Sequence, residues 1–138
     1  MTRRAFPAAL AAVVASPGFI PGDSPKVVTL QAIAGVRLPE TLAISTNSPE
    51  KMLEGVWELR TYRTCESAAL ADTFAAIFPR AGIHPLLQAA NGPELAYLIP
   101  FENLTARDRA WTALNADPAW IRARTRFQSY HFGLYRVP

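Results

Sequence analysis

A single cysteine, Cys65, excludes an internal disulfide and any cysteine cluster for a metal. The two histidines, His84 and His131, stand far apart with neither an HxH nor an HExxH spacing, so no metal site is expected. No apolar run reaches the roughly 20 residues that a membrane-spanning helix needs, so no integral membrane segment is expected. A glycine-rich phosphate loop is absent, and serine is sparse, with Ser67 and Ser129 in cap or turn positions rather than beside a histidine. Lysine is scarce too. The basic residues are almost all arginine and are interleaved with acids: residues 55–138 hold nine Arg against seven Asp or Glu. A net charge of +3 distributed in this way is a weak signal for a polyanion, and the dense run Arg122, Arg124, Arg126 reads as a solvated helix face. Aromatic and basic residues do not interleave as they do on RNA or single-strand platforms, so no nucleic-acid partner is expected. Nothing in this inventory asks for a cofactor.

What is present builds one domain. Half of the 138 residues are hydrophobic and 18% are charged, enough for a single core and little else. Thr2-Arg3-Arg4-Ala5-Phe6, an alanine-rich stretch over 8–15 and the breaker Pro17-Gly18 are similar to a twin-arginine export signal over residues 1–16, with Pro7 where a leucine is usual. The expected location is therefore periplasmic or extracellular, and cytoplasmic if the signal does not act. Residues 17–54 form a proline-rich lead-in, with turn chemistry in FIPGDSP and STNSPEK. Between these, KVVTLQAIAGVRL has the β-branched content for one strand or hairpin arm, so at most two strands are expected there. The compact domain is expected to begin near Glu54-Gly55.

From that point the periods alternate. In GVWELRTYRT, residues 55–64, Glu58, Arg60 and Tyr62 alternate with Trp57, Leu59 and Thr61, which is a strand with an acid, a base and a phenol on one face. Leu70, Phe74, Ile77, Phe78 and Ala81 make one helical stripe that ends at Gly82, with Pro85 beyond. Leu86–Ala90 and Glu94–Phe101 form a hairpin around Asn91-Gly92-Pro93. Asn103 caps a second helix with Leu104, Trp111 and Leu114 along one side, while Arg107, Asp108 and Arg109 read as solvated. Asp117-Pro118 restarts it, and Tyr130–Val137 is a last strand.

The class is α+β, in the ferredoxin-like order β-α-β-β-α-β: a four-stranded antiparallel sheet with both helices on one face. The other face is then rich in Trp, Tyr, Leu and Phe with nothing over it. A bare apolar face of that size calls for a second sheet, so a homodimer forming an α/β barrel is expected, with Glu58, Arg60 and Tyr62 at its interface.

These residues also resemble a known family. Trp57-Glu58-Leu59-Arg60-Thr61-Tyr62 is similar to the ELRTY strand of NIPSNAP domains, and Arg80-Ala81-Gly82-Ile83-His84-Pro85 to their helix end. Leu95-Ala96-Tyr97-Leu98-Ile99-Pro100-Phe101 resembles their third strand. Ala106-Arg107-Asp108-Arg109-Ala110-Trp111 and Ala116-Asp117-Pro118-Ala119-Trp120 resemble their aromatic helix and its DPxW restart. The resemblance covers residues 55–138 and implies a dimeric α/β-barrel fold. Many bacterial relatives carry two such domains in tandem, and this chain resembles the second, which makes residues 17–54 a remnant of a first repeat. No agreed catalytic residue set comes with the family; in eukaryotes its members are linked to trafficking and mitochondrial quality control.

Three functional readings stay open. One is a non-catalytic, small-molecule-binding or stress-associated homodimer. Another is a cofactor-free oxygenase or isomerase acting on an apolar ring substrate between sheet and helices. There His84 would be the base, Tyr97 and Tyr62 hydrogen-bond donors and Arg60 an anion clamp. The third is a scaffold. Each candidate also has a plainer role: His84 capping a helix end, Arg60 paired with Glu58, Trp57, Trp111 and Trp120 as core or interface anchors, and Cys65 as a small residue at a helix start.

Overall fold

The computed structural model describes residues 26–35 and 38–138. The export-signal reading of residues 1–16 and the turn chemistry of FIPGDSP lie outside the described residues. In chain order the elements are β1 (Lys26–Gly35), β2 (Thr41–Thr46), α1 (Glu50–Leu53), β3 (Val56–Arg63) and α2 (Ser67–Ile77), which runs into a 3₁₀ turn (Phe78–Ala81). They continue with β4 (Leu87–Asn91), β5 (Glu94–Phe101), α3 (Leu104–Asn115), α4 (Pro118–Ala123), a 3₁₀ turn (Arg124–Arg126) and β6 (Ser129–Arg136).

Local chemistry sets most boundaries. Asn103 accepts a bond from the Ala106 N–H at 2.8 Å, and Asp117 accepts one from Ala119 at 2.9 Å, so both expected caps are made. Gly82 ends the 3₁₀ turn that continues α2 at φ 79°, and Gly92 turns the β4–β5 hairpin at φ 60°, backbone conformations that a side chain would strain. Ser67 has a different job from the capping one its position implies. Glu66 occupies the cap position, and Ser67 Oγ donates to the Gly92 carbonyl at 3.0 Å, tying the start of α2 to the hairpin turn. Gly55 has no room for a side chain, since a Cβ there would overlap the Phe101 carbonyl.

The class is α+β, with one antiparallel sheet in the order β2-β1-β6-β3-β5-β4. It has six strands where four were expected. The two additional strands come from the lead-in, whose alternating apolar residues make a hairpin that adds to the β6 edge. Its register slips between Ala32 and Ala34, leaving Ile33 outside the ladder and 47% exposed. Such a bulge bends and twists its strand. The sheet curls strongly: Leu42 and Ile44 on one edge strand share a buried cluster with Leu87 on the opposite edge strand and with Leu98 beside it.

That curl creates two cores, one on each side of β3. Beneath the helices lie Tyr62, Leu70, Phe74, Tyr97, Trp111 and Trp120. On the concave side Val28, Leu30, Leu42 and Ile44 of the hairpin cover Trp57, Leu59, Leu98 and Tyr135. Burying four such side chains contributes about 6–12 kcal/mol gross, at about 1.5–3 kcal/mol each. The Tyr135 hydroxyl donates to the Pro39 carbonyl at 2.7 Å and fastens the β1–β2 connection to β6. The need for a second copy rested on this face being bare, and the chain covers it with its own hairpin. Among the described residues, no helix is long and apolar enough to cross a membrane.

Candidate functional site

Two features of the helix-covered side carry polar chemistry: an ion cluster under α3 and a cleft at the end of α2. Both contain residues singled out in the sequence.

The cluster grows from β3. Period-two alternation puts Glu58, Arg60 and Tyr62 on one face, and α2, α3 and α4 pack over that face. Glu58 is fully buried. Its carboxylate accepts from Trp111 Nε1 at 2.7 Å, Arg107 Nε at 2.8 Å and Arg60 Nη1 at 2.8 Å, with Arg107 Nη2 at 3.3 Å. Arg60 also donates from Nε to the Tyr62 hydroxyl at 2.9 Å. Its guanidinium lies 3.9 Å from the centre of the Trp111 ring and 4.6 Å from that of Tyr130, so aromatic faces replace much of the water it has lost. Burial alone would lower the Arg60 pKa, but the fields of Tyr62 and Glu58 outweigh it and the value is raised. Burial likewise pushes the Tyr62 hydroxyl up to about 12, against the opposing pull of Arg60. Two guanidinium groups therefore share one carboxylate, and α3 is pinned to β3 by charge-assisted bonds.

The sequence reading assigned the Glu58, Arg60 and Tyr62 face to a partner chain. In the fold that face is filled by the chain's own helices. Strand alternation separates the two faces without labelling them, and here both faces of β3 are buried. Arg107, read as solvated, is the residue that sequence reasoning missed: its side chain is 16% exposed and bound to Glu58. A signal was present. Arg107 precedes Ala110 by three residues, Trp111 by four and Leu114 by seven, which places it on the buried stripe of α3, whereas Leu104, expected on that stripe, is 41% exposed.

The cleft lies between the end of α2 and the β4–β5 hairpin and measures about 350 Å³. Phe78, Ile83, Leu86 and Leu87 line it with Tyr97, while His84 and Gln88 are exposed lining residues. Gly82 and Pro85 end the helix here and turn the chain back toward β4. Tyr97 is directly opposite Gln88 on β4 and Arg60 on β3. Its ring packs 5.1 Å from Phe78 and 6.3 Å from Tyr62, centre to centre. The Tyr97 hydroxyl is buried with no hydrogen-bond partner. Burial, the largest cause, raises its pKa, with further contributions from the neighbouring Tyr62 phenol and the charge of Asp72, and holds it protonated.

The structure thus brings His84 and Tyr97 to one cleft and sends Arg60 and Tyr62 to the ion cluster beside it. Cys65 is a free, exposed thiol. Among the described residues, no three His, Cys, Asp or Glu side chains gather closely enough to hold a metal ion.

No protein-family model and no curated protein matches the chain. Among solved structures it is similar to an uncharacterized NIPSNAP-like domain protein from Burkholderia xenovorans, at 20% identity and a TM-score of 0.47, over 57% of this chain and 81% of that one. It is also similar to a NIPSNAP family protein with unknown function from Agrobacterium tumefaciens, at 20% identity and a TM-score of 0.44, over 57% of this chain and 84% of that one. Both are described as NIPSNAP-like or NIPSNAP family proteins, the family that the motifs of residues 55–138 resemble.

Proposed function

We propose that the protein is a non-catalytic small-molecule-binding protein of NIPSNAP-like kind, with its ligand seated in the Tyr97 cleft. The buried, unpartnered Tyr97 hydroxyl carries this reading. Leaving such a group unsatisfied costs about 1–3 kcal/mol, which a ligand acceptor would recover. The size of the cleft is at the small end of ligand sites, and its lining is mostly apolar with few polar groups.

Tyr97→Phe tests the reading in two opposite directions. Without ligand the variant should unfold at a higher temperature than the natural protein, because an unpaired polar atom has gone. In a thermal-shift panel of small ring compounds it should lose the shift that the natural chain shows. A natural chain that responds to no compound in the panel would remove the proposal.

A second reading draws on His84, which lines the same cleft as Tyr97. If the protein is an oxygenase or isomerase, His84→Ala abolishes turnover. If it is a binding protein, that variant keeps its thermal shift and there is no turnover to lose. In this proposal β3 to β6 with their helices form the ferredoxin-like unit, and the β1–β2 hairpin, a remnant of a first repeat, takes the place of a partner sheet. Export through residues 1–16 belongs to the same proposal and is read by whether a fused reporter leaves the cytoplasm.

A further inference from the structure

The cleft is as informative for the charges it lacks as for the donor it holds. No arginine, lysine, aspartate or glutamate lines it. The nearby arginines are engaged elsewhere: Arg60 and Arg107 on Glu58, and Arg80 on Asp117 at 3.1 Å. Asp72 on α2 acts on the Tyr97 hydroxyl as a negative charge. An anion entering here would lose part of its water, meet the negative field of Asp72 and find no arginine or lysine, only the exposed His84. A neutral molecule meets neither penalty. Beside the apolar Phe78, Ile83, Leu86 and Leu87 and the exposed His84 and Gln88, the lining includes Tyr97, whose hydroxyl is buried without a partner. Such a group discriminates by leaving itself unpaired when the ligand has no acceptor.

Resting on the binding reading above, we propose that the cleft takes a neutral, mostly apolar ring compound that presents a carbonyl oxygen to the Tyr97 hydroxyl, and that it rejects carboxylates. Gln88, directly opposite Tyr97 on the exposed edge strand β4, stands at the open side, where a second polar group of the ligand would lie.

Three probes of one shape separate the alternatives: 2-acetylnaphthalene, naphthalene and 2-naphthoate. Each is titrated into the isotope-labelled full chain while the amide resonances of residues 83, 84, 86–88 and 97 are followed. The ketone should bind about tenfold more tightly than naphthalene, which corresponds to about 1.4 kcal/mol, and more tightly than the acid. Tyr97→Phe, checked as folded from its unchanged spectrum elsewhere, should reduce the ketone to the affinity of the hydrocarbon. Tighter binding of 2-naphthoate, or a ketone preference that survives Tyr97→Phe, overturns the ligand class and leaves the binding reading intact. No response of these amides to any of the three overturns the binding reading itself, and the ligand class with it.

Discussion

Replacing Glu58 with glutamine keeps the shape of the side chain and removes the one negative charge beneath α3. In the natural chain that carboxylate serves Arg60, Arg107 and the Trp111 indole at once. The amide keeps a single acceptor oxygen and turns an N–H₂ toward a guanidinium that is also a donor. Arg60, with a side chain only 10% exposed, is then left without a counter-charge, and Arg107 keeps only the exposed Asp108 at 3.4 Å. Removing one partner from a buried ion pair costs about 3–5 kcal/mol, and the shared carboxylate places Glu58→Gln in the upper part of that range. With a urea slope of about 1.5 kcal/mol per molar, the unfolding midpoint should fall by about 3 M. Arg107→Met is the control. It leaves Glu58 paired with Arg60, and a charge-assisted bond of this kind is worth about 1.5–3 kcal/mol, so the loss should be clearly smaller. Because the pair is buried, the difference between the two variants should survive high salt. A Glu58→Gln cost below about 1 kcal/mol, the level of a surface ion pair, or a larger cost for Arg107→Met, would refute the account.

Two further outcomes follow from the cores and their tyrosines. The full chain should be monomeric by light scattering across a dilution series, whereas residues 55–138 alone should self-associate, since removing the hairpin uncovers Trp57, Leu59, Leu98 and Tyr135; a monomeric fragment would show that the hairpin is not the cover. Burial raises Tyr62 and Tyr135 to about 12 from an ordinary value near 10, so stability is fully present below pH 10 and is lost as pH rises toward 12. Each tyrosine contributes a fall of up to about 1.4 kcal/mol per pH unit in that window, and urea midpoints that stay level from pH 9.5 to 11.5 would contradict their burial.

Much of the fold was legible because it is encoded over short distances. Asn103 and Asp117 cap their helices, Gly82 and Gly92 turn the chain, and the inward set Leu95, Tyr97, Ile99 and Phe101 follows from alternation alone. What lay beyond the sequence was set by distant neighbours. The place of the hairpin is one case: the pattern of KVVTLQAIAG indicates a strand, but its pairing with β6, about a hundred residues away, is a tertiary choice. The charge of Arg107 is another, because an arginine on an inward stripe looks solvated until Glu58 is seen opposite it. For the site, the types of residue were readable and their grouping was not. His84 and Tyr97 meet in one cleft because the chain turns back after Gly82, while Arg60, next to Tyr97 on the adjoining strand, has its guanidinium drawn away by Glu58.

The three tryptophans are divided between the layers, and this gives each layer its own spectroscopic reporter. Trp111 donates its indole N–H to a carboxylate at 2.7 Å beneath a stacked guanidinium, an arrangement that deshields the proton and quenches the ring's emission. Trp57, in the concave core, has a buried indole N–H with no acceptor. The first resonance therefore follows the docking of α3 and the second the closing of the hairpin, so that a single unlabelled spectrum recorded during refolding would show whether the two cores form together or in sequence.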